Sequence, residues 1–216
     1  MKALLDPAWH SNSADVIEKY ILYTPLSTST FNSLIKRGSP QGPLAVSTAL
    51  FTQVLQGIAF LHDNGIIHRD IKPANLTVVT YEPPLAKIID FGCATTERHC
   101  AYDRPGTIPY LAPEQRDGEF HGKEVDYWAC ALVGFQILGG VLIGRQVEER
   151  DLPPIKKFLR QVEEAGMPLA NCCADMLVVD PKARMTPNEA LGSVLFDYRD
   201  RENEQKRIFR EVSDDW

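Results

Sequence analysis

The 216-residue sequence predicts an α+β domain that is mostly α-helical, and three patterns carry that expectation. Leu50, Val54, Ile58 and Leu61 recur at steps of four, four and three, the spacing of one helix face. Between Val125 and Leu138, the apolar residues Trp128, Cys130, Ala131, Leu132, Val133, Phe135, Ile137 and Leu138 fall all round a helix, as they do in a segment buried mid-domain. Short β-branched runs supply a few strands. Hydrophobic residues make up 44% and charged residues 24%, so the chain can bury a core and is neither disordered nor fibrous in composition.

Taken in order, Tyr20-Ile21-Leu22-Tyr23 is aromatic and β-branched and stops at Pro25, which predicts a strand. A short helix follows from Thr30 to Lys36. The cluster Arg37-Gly38-Ser39-Pro40-Gln41-Gly42-Pro43 breaks it, and the periodic helix runs from about Val46 to Asn64, where Gly65 ends it. Leu76–Thr80 and Ala86–Ile89 read as two strands joined at Glu82-Pro83-Pro84. After the buried helix come helices at Pro154–Ala165, Pro168–Val178 and Pro187–Leu195, each with a proline near its start, where a missing N–H costs little. The last stretch, from Asp197, is dense in charge, and Glu202 and Lys206 stand four apart in the favourable order; a solvated terminal helix or tail is expected.

The charge balance, 23 basic against 29 acidic residues, leaves a formal net of −6. Such a chain offers no broad basic surface to a phosphate backbone, which argues against a nucleic-acid partner. The five cysteines, Cys93, Cys100, Cys130, Cys172 and Cys173, form no C-x-x-C pair and no disulfide framework, as expected in a reducing compartment. No run approaches the ~18 apolar residues that would cross a membrane, so no membrane partner is expected. A cytoplasmic or nuclear location follows as the expectation.

One constellation carries chemistry. His68-Arg69-Asp70-Ile71-Lys72-Pro73-Ala74-Asn75 lies on a loop between a helix and a strand; Asp90-Phe91-Gly92 follows a strand; Ala112-Pro113-Glu114 closes a Gly/Pro-rich segment. In this order and context the three resemble the catalytic half of a eukaryotic-type protein kinase. The resemblance implies ATP and magnesium as cofactors and a protein substrate or kinase partner. It implies that Asp70 accepts the substrate hydroxyl proton, Lys72 stabilises the transferring phosphoryl, and Asn75 and Asp90 hold magnesium as hard oxygen ligands. His68, Phe91 and Gly92 complete the motifs structurally. Thr107, in Gly106–Glu114, together with Lys72 matches the serine/threonine-specific version. Asp126 matches the aspartate that anchors the catalytic loop backbone, and Arg184 the arginine that pairs with Glu114; losing one partner of such a buried pair typically costs several kcal/mol. The resemblance implies that a phosphate on Thr95, Thr96 or Tyr102 would pair with Arg69 and order the activation segment; the equal alternative is an unmodified turn at Thr95-Thr96-Glu97-Arg98. Cys93, His99 and Cys100 fall short of a closed zinc shell and read as incidental.

The resemblance covers about residues 18–196, the hinge and C-terminal lobe, with short strands at the hinge and catalytic loop. Residues 1–17 read as a remnant of the N-terminal lobe or an irregular segment, and 197–216 as the charged tail. No two of the 14 glycines are separated by one residue, so G-x-G-x-x-G is absent from these residues. The only lysines before the hinge, Lys2 and Lys19, are not in a V-A-I-K context, and Thr77 puts a polar side chain where the family floors its adenine pocket. The expectation is a serine/threonine kinase-like domain with little activity as this chain alone. The alternative is a kinase-derived binding module without turnover. Without a covering lobe, the nucleotide-side surface near Phe91 and Leu76 is expected to be exposed and to recruit a partner.

Overall fold

The computed structural model describes residues 29–36, 44–96, 105–116 and 120–193. Strand β1 (Ser29–Thr30) leads directly into helix α1 (Phe31–Lys36). Helix α2 (Leu44–Asp63) is the first long element, two residues longer at its start and one shorter at its end than the periodicity predicts. Leu50, Val54, Leu55 and Ile58 are all essentially inaccessible, which makes the predicted stripe the buried face. Gly65, in the left-handed region at φ +73°, closes the helix end, and Ile66 N–H donates back to the Leu61 carbonyl.

Strands β2 (Leu76–Tyr81) and β3 (Pro84–Ile88) form an antiparallel hairpin, and β1 pairs with the outer edge of β2, giving the order β1-β2-β3. The second proline of the expected Pro-Pro turn is thus the first residue of β3. Gln53 on α2 fastens the helix to the hairpin: its Nε2 donates to the Pro84 carbonyl and its Oε1 accepts from Ala86 N–H, both at 2.8 Å. The fold is the mostly helical α+β arrangement expected, with the small sheet lying over α2.

After the short α3 (Pro113–Arg116), helix α4 (Glu124–Ile137) runs through the centre. Its residues from Val125 to Phe135 are all buried, which explains why no polar stripe is legible in its sequence. Helices α5 (Leu152–Glu164) and α6 (Pro168–Met176) pack on each other, and α6 packs on α4. Phe158 of α5 meets Phe135 edge-on, ring centroids 5.3 Å apart. Both helices carry proline in their first turn, at Pro153 and Pro154 in α5 and at Pro168 in α6. Residues 187–193 are helical too, and Thr186 and Glu189 close a reciprocal capping box at their start. No helix of the described residues is long and apolar enough to cross a membrane. The expected strand at Tyr20–Tyr23 and the charged stretch from Asp197 lie outside the described residues.

Candidate active site

The loop from Gly65 to Asn75 connects α2 to β2, and its shape is fixed from below by α4. Asp126, in the first turn of α4, is fully buried; its Oδ2 accepts the His68 amide at 2.9 Å and its Oδ1 the Arg69 amide at 2.8 Å. Arg69 sits at φ +64°, a conformation costly for a residue with a Cβ, so the two amide bonds hold the chain in a turn it would otherwise avoid. His62, at the end of α2, contributes a third contact to the same carboxylate, Nε2 to Oδ2 at 2.8 Å, with its side chain only 4% exposed.

The strained turn delivers Asp70 into a closed network. Thr107 donates its hydroxyl to Oδ1 at 2.7 Å, Lys72 Nζ reaches Oδ2 at 2.7 Å and Thr107 Oγ1 at 2.8 Å, and Asn75 Nδ2 donates to Oδ2 at 3.0 Å and to the Asp70 carbonyl at 2.9 Å. Four residues singled out in the sequence, Asp70, Lys72, Asn75 and Thr107, are therefore in direct contact. Gly106 makes the approach possible: at φ +120°, any Cβ there would lie 2.7 Å from the Arg69 carbonyl oxygen.

His68 bridges this loop to the Asp90 segment. Its Nδ1 accepts Asp70 N–H at 3.3 Å and its Nε2 lies 3.1 Å from the Ile89 carbonyl, a pattern that requires the proton on Nε2. Its ring also meets Phe91, centroids 5.0 Å apart. Asp90 is exposed and has φ +64°; its Oδ1 accepts Gly92 N–H at 3.2 Å, a local turn bond. Asn75 and Asp90 are joined through the backbone, Ile89 N–H donating to the Asn75 carbonyl at 2.9 Å. The Asn75 amide commits its Nδ2 to Asp70, which leaves Oδ1 for a ligand. Asn75 Oδ1 and the exposed Asp90 carboxylate are both hard oxygen donors, the atom type magnesium takes.

Arg69 Nε donates to the Cys93 carbonyl at 2.6 Å, and Thr95 pairs with Ile67 through both backbone bonds at 2.9 Å. Thr96 is exposed; Tyr102, His99 and Cys100 lie outside the described residues. Burial, followed by the Asp70 and Asp90 carboxylates, pushes the Cys93 thiol above its ordinary range, so it is held as a thiol and not a reactive thiolate. No cluster of metal-ligating side chains occurs among the described residues.

Below the site, Glu114 and Arg184 form a bidentate pair at 2.6 and 2.8 Å with side-chain exposures of 6% and 0%. Arg184 also donates to the carbonyls of Val178, Val179 and Glu124 and stacks 5.0 Å from the Trp128 ring centroid, so all five of its N–H groups are used. The expected exposure of the nucleotide side needs correction at one residue. Phe91 is 39% exposed, but Leu76 is fully buried, because the first residue of β2 faces the α2 core.

Three supports were not singled out in the sequence. His62 continues the 50, 54, 58 stripe by another step of four, and a polar residue on that stripe is the signal that finds it. Gln146 Nε2 donates to the Leu111 and Ala112 carbonyls at 3.0 and 3.1 Å, and Gln115 bonds Ala112 N–H and the Pro105 carbonyl. Both glutamines act on backbone, which leaves no side-chain pattern to read.

A protein kinase domain profile matches residues 14–196. Similar proteins include a calcium/calmodulin-dependent protein kinase of Metarhizium anisopliae, 30% identical over 189 residues that cover 82% of this chain and 49% of that protein. The calcium/calmodulin-dependent protein kinase cmkB of Emericella nidulans is 32% identical over 77% of this chain and 44% of its own. Serine/threonine-protein kinase chk-1 of Caenorhabditis briggsae is 40% identical over 46% of this chain and 21% of its own. The chain spans about half the length, or less, of the curated relatives it matches.

Proposed function

Because the chain belongs to the protein kinase family, we propose that it carries the acceptor-side and metal-side machinery for transferring the terminal phosphoryl group of ATP to a serine or threonine hydroxyl of a protein. The observation that carries this reading is the closed contact among Asp70, Thr107 and Lys72. In it, one carboxylate oxygen already accepts a hydroxyl donor while a cation sits 2.7 Å from the other.

Phosphoryl transfer runs through a loose transition state, so the protein's work is to place the reactants and supply charge. Asp70 orients the acceptor hydroxyl and takes its proton as the new P–O bond forms. Lys72, with its side chain 23% exposed, reaches outward to offset charge on the transferring group. Asn75 Oδ1 and the Asp90 carboxylate are the residues that would hold the nucleotide's magnesium, which would supply charge to offset that of the phosphate oxygens. His68 and Asp126 keep Asp70 and Asp90 in register.

The test is magnesium–ATP binding by calorimetry followed by phosphate transfer to a pool of Ser/Thr peptides. We expect Asp70→Asn to lower transfer by about 10²–10⁴-fold, the usual contribution of a general base, without lowering ATP affinity. Transfer unchanged by that substitution overturns the reading. A second reading, a kinase-derived binding module, is favoured by Thr77, a buried polar side chain at the position where the family floors its adenine pocket. Substrate binding with no phosphate incorporation and no ATP binding supports it.

A further inference from the structure

Thr107 reaches Asp70 from a stretch of chain, Pro105 to Ala112, whose regular structure is one 3₁₀ turn at Ile108–Tyr110. The two ends of that stretch are joined by one side chain. Gln115, on α3 and only 2% exposed, accepts the Ala112 amide at Oε1 over 3.0 Å and donates from Nε2 to the Pro105 carbonyl over 3.3 Å. A donor at one end and an acceptor at the other are satisfied by a single orientation of the glutamine amide, so its direction is fixed.

Within this ring the chain folds onto itself. Tyr110 N–H donates to the Thr107 carbonyl at 2.9 Å, and Leu111 packs so closely over Gly106 that a Cβ there would lie 2.9 Å from its Cδ2. The later half is tied to the body of the domain: the Tyr110 hydroxyl donates to Gln136 Oε1 at 2.8 Å, and Gln146 donates to the Leu111 and Ala112 carbonyls. Gln115 carries that hold across to Pro105, two residues before Thr107. The Thr107 hydroxyl meets Asp70 at 2.7 Å and Lys72 at 2.8 Å. Such a double contact tolerates only about 0.5 Å of drift in the chain that delivers it.

We propose that Gln115 is a positioning residue of the acceptor site: by tying Pro105 to Ala112 it sets the Thr107 hydroxyl on Asp70 and Lys72. As a statement about the reaction, this rests on the reading of Asp70 as the acceptor-side base. Gln115 acts through backbone groups alone and touches no reacting atom. Its grip stops at the main chain, so the Thr107 hydroxyl stays free to turn aside when an acceptor hydroxyl takes its place on Asp70.

The test reads the Thr107 contact in the full chain without nucleotide. Transfer unchanged by Asp70→Asn, the result that overturns the assignment of the base, therefore leaves its readings untouched. Thr107→Ala is made in the native chain, in Gln115→Met, which keeps the side-chain length and removes both bonds, and in Gln53→Met, which removes the comparable pair of backbone bonds from α2 to Pro84 and Ala86. We expect the fall in unfolding midpoint caused by Thr107→Ala to shrink to about half or less in Gln115→Met and to stay unchanged in Gln53→Met, because coupled sites are not additive and distant ones are. In NMR spectra the Thr107 methyl resonance moves or broadens in Gln115→Met and keeps its native position in Gln53→Met. If Gln115→Met does not fold, Gln115→Glu, which keeps the acceptor for Ala112 and loses the donor to Pro105, gives both readings at smaller amplitude. A Thr107→Ala effect or a Thr107 methyl resonance unchanged in the Gln115 variants, or changed equally in Gln53→Met, overturns the proposal.

Discussion

Glu114 and Asp70 are both buried carboxylates paired with a cation, and they are held in opposite ways. Glu114 has one partner, Arg184, seventy residues away, whose remaining N–H groups are all committed to backbone carbonyls. Asp70 accepts from three different side chains, two of them within five residues and the third from Thr107, and its lysine keeps part of its surface in water. A charge with one saturated partner is fixed to the fold. A charge shared among several partners, one of them partly in water, can exchange one of them for another hydroxyl. The first arrangement joins distant parts of the chain and the second leaves chemistry possible.

The largest effect expected on this contrast comes from Glu114→Ala, which strands the Arg184 guanidinium in the interior and costs about 3–5 kcal/mol of unfolding free energy. Denaturant melts measure it; a loss as small as that of a surface pair would place Glu114 with Asp70 and erase the distinction. Asp126→Asn comes next. It removes one of the acceptors shared by the His68 and Arg69 amides and costs about 1–3 kcal/mol, with faster amide hydrogen exchange at those two residues. Thr107→Ala opens the Asp70 network from its movable side and costs about 1 kcal/mol or less, with Thr107→Ser restoring it. A cost equal to that of Glu114→Ala would show the Asp70 cluster to be a lock as well.

The smallest effect concerns Asp151. The Arg145 side-chain hydrogen bond, with the Glu148 amide, holds its carboxyl below the usual carboxylate range. A lowered folded-state pKa contributes stability above the unfolded-state value and loses it as pH falls through the lowered one. The native chain and Asp151→Asn therefore differ slightly in unfolding midpoint at pH 6, and the difference shrinks as pH falls through and below the ordinary carboxylate range. A difference that grows on acidification would contradict the assignment.

The elements most legible in the sequence are those whose burial follows a period. The stripe on α2 and the all-round apolarity of α4 name their buried residues before any coordinate is seen, and the motif residues Asp70, Lys72, Asn75 and Thr107 converge in space. Illegible were the supports that act through backbone. Arg69 and Asp90 have positive φ without being glycine, and Gln146 bonds carbonyls 34 and 35 residues away. The expected exposure at Leu76 follows from the missing cover of another lobe, but Leu76, Thr77 and Val78 are all buried within this domain, so the start of β2 needs no such cover.

His68 has a consequence beyond its two bonds. One ring nitrogen faces the segment of Asp70 and the other the segment of Asp90, so the width of an imidazole is the gauge block between two carboxylate-bearing stretches twenty residues apart. A planar ring cannot be compressed. The tolerance on that gap is therefore set by aromatic bond lengths and not by the softer packing around it, and any side chain that replaces His68 must match both its span and its pattern of one donor and one acceptor.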